Sequence, residues 1–404
     1  MPLFHSFSLF RPVPVRGLLL AGCLMLAACR APAALPPDLA PLFTRLDAPA
    51  TIPAEIAGRA VFVSVSINGC GPFRMLVDTG CSASLISPEV ALTLDPNLLS
   101  SNTSLPTTNA LGHTDTMPQV LLASIDCGAA RFEGVTAGIT SFELQSRANG
   151  FRVDGILGYS LFAGLYVTFD FPHRALRLSR EWPQSLPPVR ASLDATEDDG
   201  VPFVSLGVQG IECQAIVDTG SNGSLQLSNS LAGTLTWKTP PRPGSLVGAI
   251  GGVGREWTGR LTGTLELGEV RQTEPVVSLS AGSPSLGIEF LRSFTPVFRP
   301  GGGKVWLCSE SAADVPSPPV RSVGLSLLAE TDGWRVVGII PDSPAESARI
   351  AAGDVITEIE HRPARDWTRT QLQAWVDSHD TVALAVASAA GARDFLLPVW
   401  ALVP

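Results

Sequence analysis

The sequence is poor in the side chains on which metal and cofactor enzymes are usually built. Its 404 residues include only 5 histidines (His5, His113, His173, His361 and His379), scattered along the chain, and none of its 7 cysteines forms a CxxC pair. Neither a zinc site nor a catalytic Cys-His pair is indicated, so no metal and no organic cofactor is expected. Charge is sparse as well: 16% of residues are charged, and the net charge of −9 is spread without long runs of either sign. Nucleic acid is therefore not an expected partner. The apolar run "GLLLAGCLMLAA", residues 17–28, spans 12 residues, too few for the roughly 20 that cross a bilayer. With 45% hydrophobic residues the chain can still bury more than one core, and its length favours roughly two to three domains over disorder.

Preceded by Arg11 and Arg16, that apolar run reads as an export signal. Two sites, "LAGC" ending at Cys23 and "LAAC" ending at Cys29, resemble the lipobox of bacterial lipoproteins. Cleavage before Cys29 leaves a hydrophobic segment of the usual length, whereas Cys23 leaves it too short. The resemblance implies a signal peptide at 1–28 and an acylated Cys29 anchoring the protein to a membrane, several acyl chains together giving a lasting hold. Arg30, rather than Asp, after that cysteine implies a periplasmic protein on the outer membrane. Ordinary cleavage near "APA", 31–33, giving a soluble exported protein, is the alternative. Cys70, Cys81, Cys127, Cys213 and Cys308 then remain in a compartment that permits disulfides, and as five is odd at least one stays unpaired.

Residues 29–54 are rich in Pro and Ala and read as a tether. From residue 60 the chain reads as all-β: Val61, Val63, Val65 and Ile67 alternate with Phe62, Ser64 and Ser66. The order restarts after "EWPQSLPPVR", 181–190, so the chain contains an internal duplication. Each half closes with a hairpin-like pair, "YVTFDFPHRALRLS" and "FTPVFRPGGGKVWLC". A second linker spans 311–320. Beyond it come strands at 323–328 and 334–340, then a helix in "TRTQLQAWVDS" that opens with a capping-box pattern, Thr368 and Gln371, and puts Leu372, Trp375 and Val376 on one face.

The chemistry is concentrated in two stretches, "MLVDTGCSASLIS" at 75–87 and "AIVDTGSNGSLQLS" at 215–228. One Asp-Thr-Gly could be an ordinary turn. Two copies in matching places of a duplicated unit are different. A carboxylate ending an apolar strand is costly to desolvate unless it is satisfied or protonated. Two of them brought together share one proton and so supply an acid and a base. Thirty-four residues past each Asp stand Gly112 and Gly252, in segments suited to hairpin tips. Gly158 and Gly287 follow farther on, in "ILG" and "SLG".

On "LVDTG", "IVDTG", "ILG" and "SLG", residues 55 to 310 resemble the aspartic proteases, closer to fused retropepsins than to pepsin. The resemblance implies a mostly β, bilobal fold with an N-lobe at 55–188 and a C-lobe at 189–310, acting as an endopeptidase on protein or peptide substrates. Asp78 and Asp218 would activate a water. Thr79 and Thr219 would lock the two turns together, Gly80 and Gly220 would allow their close approach, and Gly158 and Gly287 would pack beside them. Leu111, Gly112, Gly251 and Gly252 would belong to the flaps over the substrate. Cys81 departs from the family's Ser or Ala, while the second copy has Ser221; the thiol is the weaker donor, so Asp218, supported by Ser221, is expected to hold the charge and Asp78 the proton. Cys81 would be the odd thiol, with Cys70–Cys127 and Cys213–Cys308 as the pairings this fold suggests. A monomer should suffice for catalysis.

Residues 321–404 resemble a PDZ domain of the bacterial protease-associated type, through "SVGLSLL" and "VVGIIPDSPAESARIAAGDVITEIEHRPA". The resemblance implies a small α+β module that binds an extended peptide by strand addition, with Val323, Gly324 and Leu325 forming the loop that captures its carboxylate. Arg349 stands where that family has Gly. A trypsin-like reading of "SNGS", 221–224, fails because no His and Asp partners sit in suitable contexts. The alternative function is a non-catalytic, peptide-binding scaffold lipoprotein of the cell envelope.

Overall fold

The computed structural model describes residues 38–57, 59–100, 102–108, 114–249 and 252–404. The signal segment, Cys29, Leu111, Gly112, His113 and Gly251 lie outside the described residues.

The protein is mostly β, and one strand pattern occurs twice. Strand Val61–Ile67 buries Val61, Val63, Val65 and Ile67, as the alternation predicts. It turns through Asn68 and Gly69, both at positive φ, into the antiparallel strand Cys70–Asp78. In the second half Phe203–Val208 turns through Gln209 and Gly210, again both at positive φ, into Ile211–Val217. Cys70–Asp78 then runs parallel to Gly155–Gly158, with Asp78 opposite Gly158, and Ile211–Val217 runs parallel to Ser285–Leu286. The short strands Ser84–Ile86 and Leu225–Ser228 each pair parallel on one side and antiparallel on the other.

A shared sheet fixes the two halves against each other. The expected closing hairpins are Tyr166–Asp170 with Ala175–Ser179 and Thr295–Arg299 with Lys304–Cys308. They meet where Val167 and Thr168 pair with Phe298 and Val297. Phe169 and Tyr159 pack edge-on against Phe298, at 5.5 and 6.4 Å between ring centroids, and such pairs contribute about 1 kcal/mol each beyond their burial. One apolar core runs through both halves, and the C-terminal module has its own.

The segment read as a tether contributes two strands, Phe43–Arg45 and Ala50–Ile56. Ala50, Ile52 and Ala54 are buried while Thr51, Pro53 and Glu55 are exposed, a period of two hidden by the Pro and Ala composition. Pro53, which has no N–H to give, falls where this strand leaves Ala175–Ser179 for Val61–Ile67. The suggested disulfides are absent: Cys70, Cys81, Cys127, Cys213 and Cys308 are free thiols. Ile67 pairs with Cys70 on one side and Ile125 on the other. A whole strand therefore separates Cys70 from Cys127, about 10 Å, beyond the roughly 7 Å a disulfide spans. Cys213 and Cys308 lie in different sheets. Burial pushes Cys127 to about 12 and Cys308 to about 11, keeping both protonated.

The C-terminal module is a sheet ordered Leu325–Glu330, Gly333–Ile339, Val355–Ile359, Thr381–Ser388, Gly391–Pro398. Against it lies the helix Arg369–Ser378, with the Thr368–Gln371 capping box in place. Leu372 and Val376 are buried and Trp375 is partly so. Arg349 takes a φ of 57°, the left-handed conformation that glycine adopts freely.

This module does not hang on a loose linker. Val315 donates its amide to Arg271 at 2.8 Å, and Gln272 Nε2 donates to Pro316 O at 2.8 Å. Arg260, 5% exposed, donates to the carbonyls of Glu274 (2.7 Å), Ser317 (3.0 Å) and Pro318 (3.0 Å), and also to Pro404 O. Arg260→Ala removes a charged donor and strands several buried acceptors. The expected loss is about 2–4 kcal/mol in a denaturant titration, with faster limited proteolysis within 311–320; a linker as resistant as wild type would contradict this role.

Candidate active site

Each Asp-Thr-Gly begins where a buried strand runs out. Val77 and Val217 are 1% exposed, and the half-buried Asp78 and Asp218 follow them. The threonines then cross over. Thr79 Oγ1 donates to Val217 O at 2.6 Å and accepts from the Thr219 amide at 3.0 Å. Thr219 Oγ1 donates to Val77 O at 2.9 Å and accepts from the Thr79 amide at 3.0 Å. Four reciprocal bonds between buried groups thus tie the turns face to face.

The glycines follow from that proximity. A Cβ on Gly80 would overlap the Asp218 carboxyl group, and one on Gly220 would overlap that of Asp78. A Cβ on Gly158 would strike the Ala83 carbonyl, and one on Gly287 the Gly223 carbonyl. The next residues keep the symmetry: the Tyr159 amide donates to Cys81 O at 2.7 Å and the Ile288 amide to Ser221 O at 2.9 Å. The geometry thus brings together Asp78, Thr79, Gly80, Gly158, Asp218, Thr219, Gly220, Ser221 and Gly287.

The two carboxyl groups sit on the facing turns, each packed on the opposite glycine, and interact electrostatically. Burial, followed by the charge of Asp218, raises Asp78 well above the usual carboxylate range. Burial raises Asp218 too, but its Oδ1 accepts the Gly220 amide at 2.8 Å and the Ser221 amide at 3.0 Å, and these favour its charged form. Asp78 Oδ1 accepts the Gly80 amide at 2.8 Å. The side-chain cause expected for an asymmetry is not what the turns show. Cys81 Sγ donates to Ala83 O at 3.2 Å, not to a carboxylate, and Ser221 acts through its backbone. A protonated and an ionised carboxyl held together can serve as acid and base.

Each half also carries a hairpin between its Asp-Thr-Gly turn and its later glycine. One is Ser104–Thr108 with Thr114–Cys127, the other Trp237–Ala249 with Gly252–Leu261, where Gly252 opens the returning strand opposite Ala249. Sequence reasoning missed Ser84, whose Oγ accepts the Gly158 amide at 3.2 Å, and Ser224, whose carbonyl accepts the Gly287 amide at 2.9 Å. Each lies six residues past its aspartate, a register that the repeat itself displays. It also missed Glu197, which is 2% exposed. Glu197 accepts from Tyr159 Oη at 3.2 Å and from the amides of Gly301 and Gly303, joining the two halves behind the first turn. In the C-terminal module, Val323 and Leu325 are buried, and the Gly324 amide donates to Ser322 Oγ at 2.9 Å.

Among known proteins, the family described as "Aspartyl protease" matches residues 63–161, a span that includes Asp78 and Gly158 but not Asp218. No curated protein matches. Among solved structures, the HtrA3 PDZ domain bound to a phage-derived ligand (FGRWV) matches at 20% identity with a TM-score of 0.19, over 20% of this chain and 88% of that one.

Folded Asp78 holds its proton to a higher pH than the unfolded chain does. Between the two titrations the folded state binds more protons, so stability falls as pH rises through that window. Asp78→Asn removes this dependence. Its thermal midpoint should exceed that of wild type by about 2–4 °C near pH 7, and the gap should close below the ordinary aspartate range, about 3.9. A midpoint at or below wild type near neutral pH would contradict the assignment.

Proposed function

We propose that the protein is an aspartic-type endopeptidase with a bilobal protease fold, in which Asp218 is the ionised base and Asp78 the protonated acid. The observation that carries this reading is the reciprocal Thr79–Thr219 bonding, which holds two unlike carboxyl groups in contact. Asp218 takes a proton from water as the hydroxide adds to the peptide carbonyl, and Asp78 gives its proton to the carbonyl oxygen. The C–N bond then breaks: the nitrogen takes the proton from Asp218, and one hydroxyl of the tetrahedral intermediate returns a proton to Asp78. The pair ends as it began, and no metal or cofactor enters. Both carboxyl groups come from one chain, so a monomer suffices.

An extended substrate segment binds between the two hairpins, and the flap residues of this reading are Leu111, Gly112, Gly251 and Gly252. The C-terminal module docks peptide by strand addition near Val323, Gly324 and Leu325. The leader directs the protein to the periplasm, anchored to the outer membrane through acylated Cys29.

Purified wild type is expected to cleave an unfolded protein. Asp78→Asn and Asp218→Asn should each lose about 10³-fold or more in kcat while keeping the wild-type circular dichroism spectrum. If all three proteins bind the unfolded chain equally and none cuts it, the scaffold reading stands instead. In cells, Cys29→Ala should abolish incorporation of labelled palmitate and release the protein from the membrane fraction; labelling that survives the substitution rules out this anchor.

A further inference from the structure

A groove lies between the strand Leu325–Glu330 and the helix Arg369–Ser378. Val323, Leu325, Leu327, Leu372 and Val376 give it apolar walls, and among the described residues Arg369 is the one cation lining it. About 30 Å³ is open between those walls, room for a water rather than the roughly 300 Å³ or more of a small-molecule site. Leu325–Glu330 pairs with a strand on one edge only; Arg147 caps its far end, donating to Ala329 O at 3.2 Å and pairing with Glu330 at 3.0 Å, so the occupant that fits is a short extended chain laid along Leu325–Leu328.

Charge narrows the occupant further. Arg369 is half-buried and, among the described residues, has neither a carboxylate partner nor a hydrogen bond, whereas Arg321 and Arg335 of the same module pair with Asp380 and Glu330. Burial, and then the charge of nearby Arg59, lowers its pKa. Positive charge here is in excess, and an anion relieves it.

Position says which anion. Gln373 Nε2 donates to Arg321 O at 3.3 Å, which sets the loop after Ser322 beside the middle of the helix. Arg369 lies one turn earlier, about 6 Å along the axis, a distance an extended peptide covers in about two residues. A chain terminus seated at the loop keeps its own carboxylate away from Arg369; what faces Arg369 is a side chain farther up the peptide. Arg59 in turn pairs with Glu289 at 3.0 Å and reaches Asn222 O at 3.5 Å.

We propose that this groove selects an extended peptide by an acidic side chain, Asp or Glu, that pairs with Arg369. The proposal rests on the peptide-docking reading of the module and adds to it the charge of the ligand and the residue that reads it.

The test is fluorescence polarisation on the full chain carrying Asp218→Asn, with labelled apolar peptides that carry Glu, Gln or Lys at one position, each with a free or an amidated C-terminus. The Glu peptide should bind about tenfold more tightly than the Gln peptide, the gap should survive amidation, and it should shrink as salt rises. Arg369→Gln should erase the gap while leaving the Gln peptide's affinity unchanged, and Arg369→Glu should turn the preference to Lys. Equal binding of Glu and Gln peptides, a gap that persists in Arg369→Gln, or a preference lost on amidation alone would overturn the assignment of Arg369 while leaving peptide docking intact. Failure of every peptide to bind would overturn the docking reading and this proposal with it.

Discussion

Two hydroxyl groups hold this molecule's chemistry in place. The side chains of Thr79 and Thr219 each cross to the opposite strand and accept the opposite amide. Buried hydrogen bonds contribute about 1 kcal/mol each, so four of them offset much of the cost of bringing two aspartates together in a desolvated place. Everything else near the turns answers to that contact. The glycines at 80 and 220 leave room for the opposite carboxyl group, those at 158 and 287 let the neighbouring strand approach, and the sheet joined at Val167 and Phe298 keeps the two supporting strands from drifting apart.

Much of this was legible in the sequence because it repeats. Two copies of a motif at matching offsets identify Asp78 and Asp218 where one copy would be only a turn, and the same comparison picks out Gly158 and Gly287. Alternation gave the strand at 61–67, and the Thr368–Gln371 pattern gave the start of the last helix. What stayed hidden has no period. Glu197 reaches across to Tyr159 and to the amides of a glycine turn, and Arg260 gathers carbonyls from segments far apart in the chain. Neither residue differs from an ordinary surface charge until the chain is folded.

Two expectations failed for reasons that are physical rather than statistical. Cysteine counting cannot see that the strand Val61–Ile67 lies between Cys70 and Cys127. Composition marked residues 29–54 as a tether, yet a strand needs only every second side chain to be apolar, and Ala50, Ile52 and Ala54 suffice. The unequal aspartates show a subtler version of the same limit. Comparing Cys81 with Ser221 suggested a side-chain cause, whereas Cys81 Sγ donates to Ala83 O and Ser221 meets Asp218 through its backbone amide.

The hairpin Trp237–Ala249 with Gly252–Leu261 is not supported by its own half alone. The Leu246 amide donates to Ser326 Oγ at 2.9 Å, Arg255 reaches the carbonyls of Gly244 and Ile339, and Arg260 at its base grips the segment leading to the C-terminal sheet. A lever bolted to another body at mid-length has no independent swing. Lifting this arm means either breaking those bolts or carrying the neighbouring sheet along, so any motion of the hairpin is shared by two bodies.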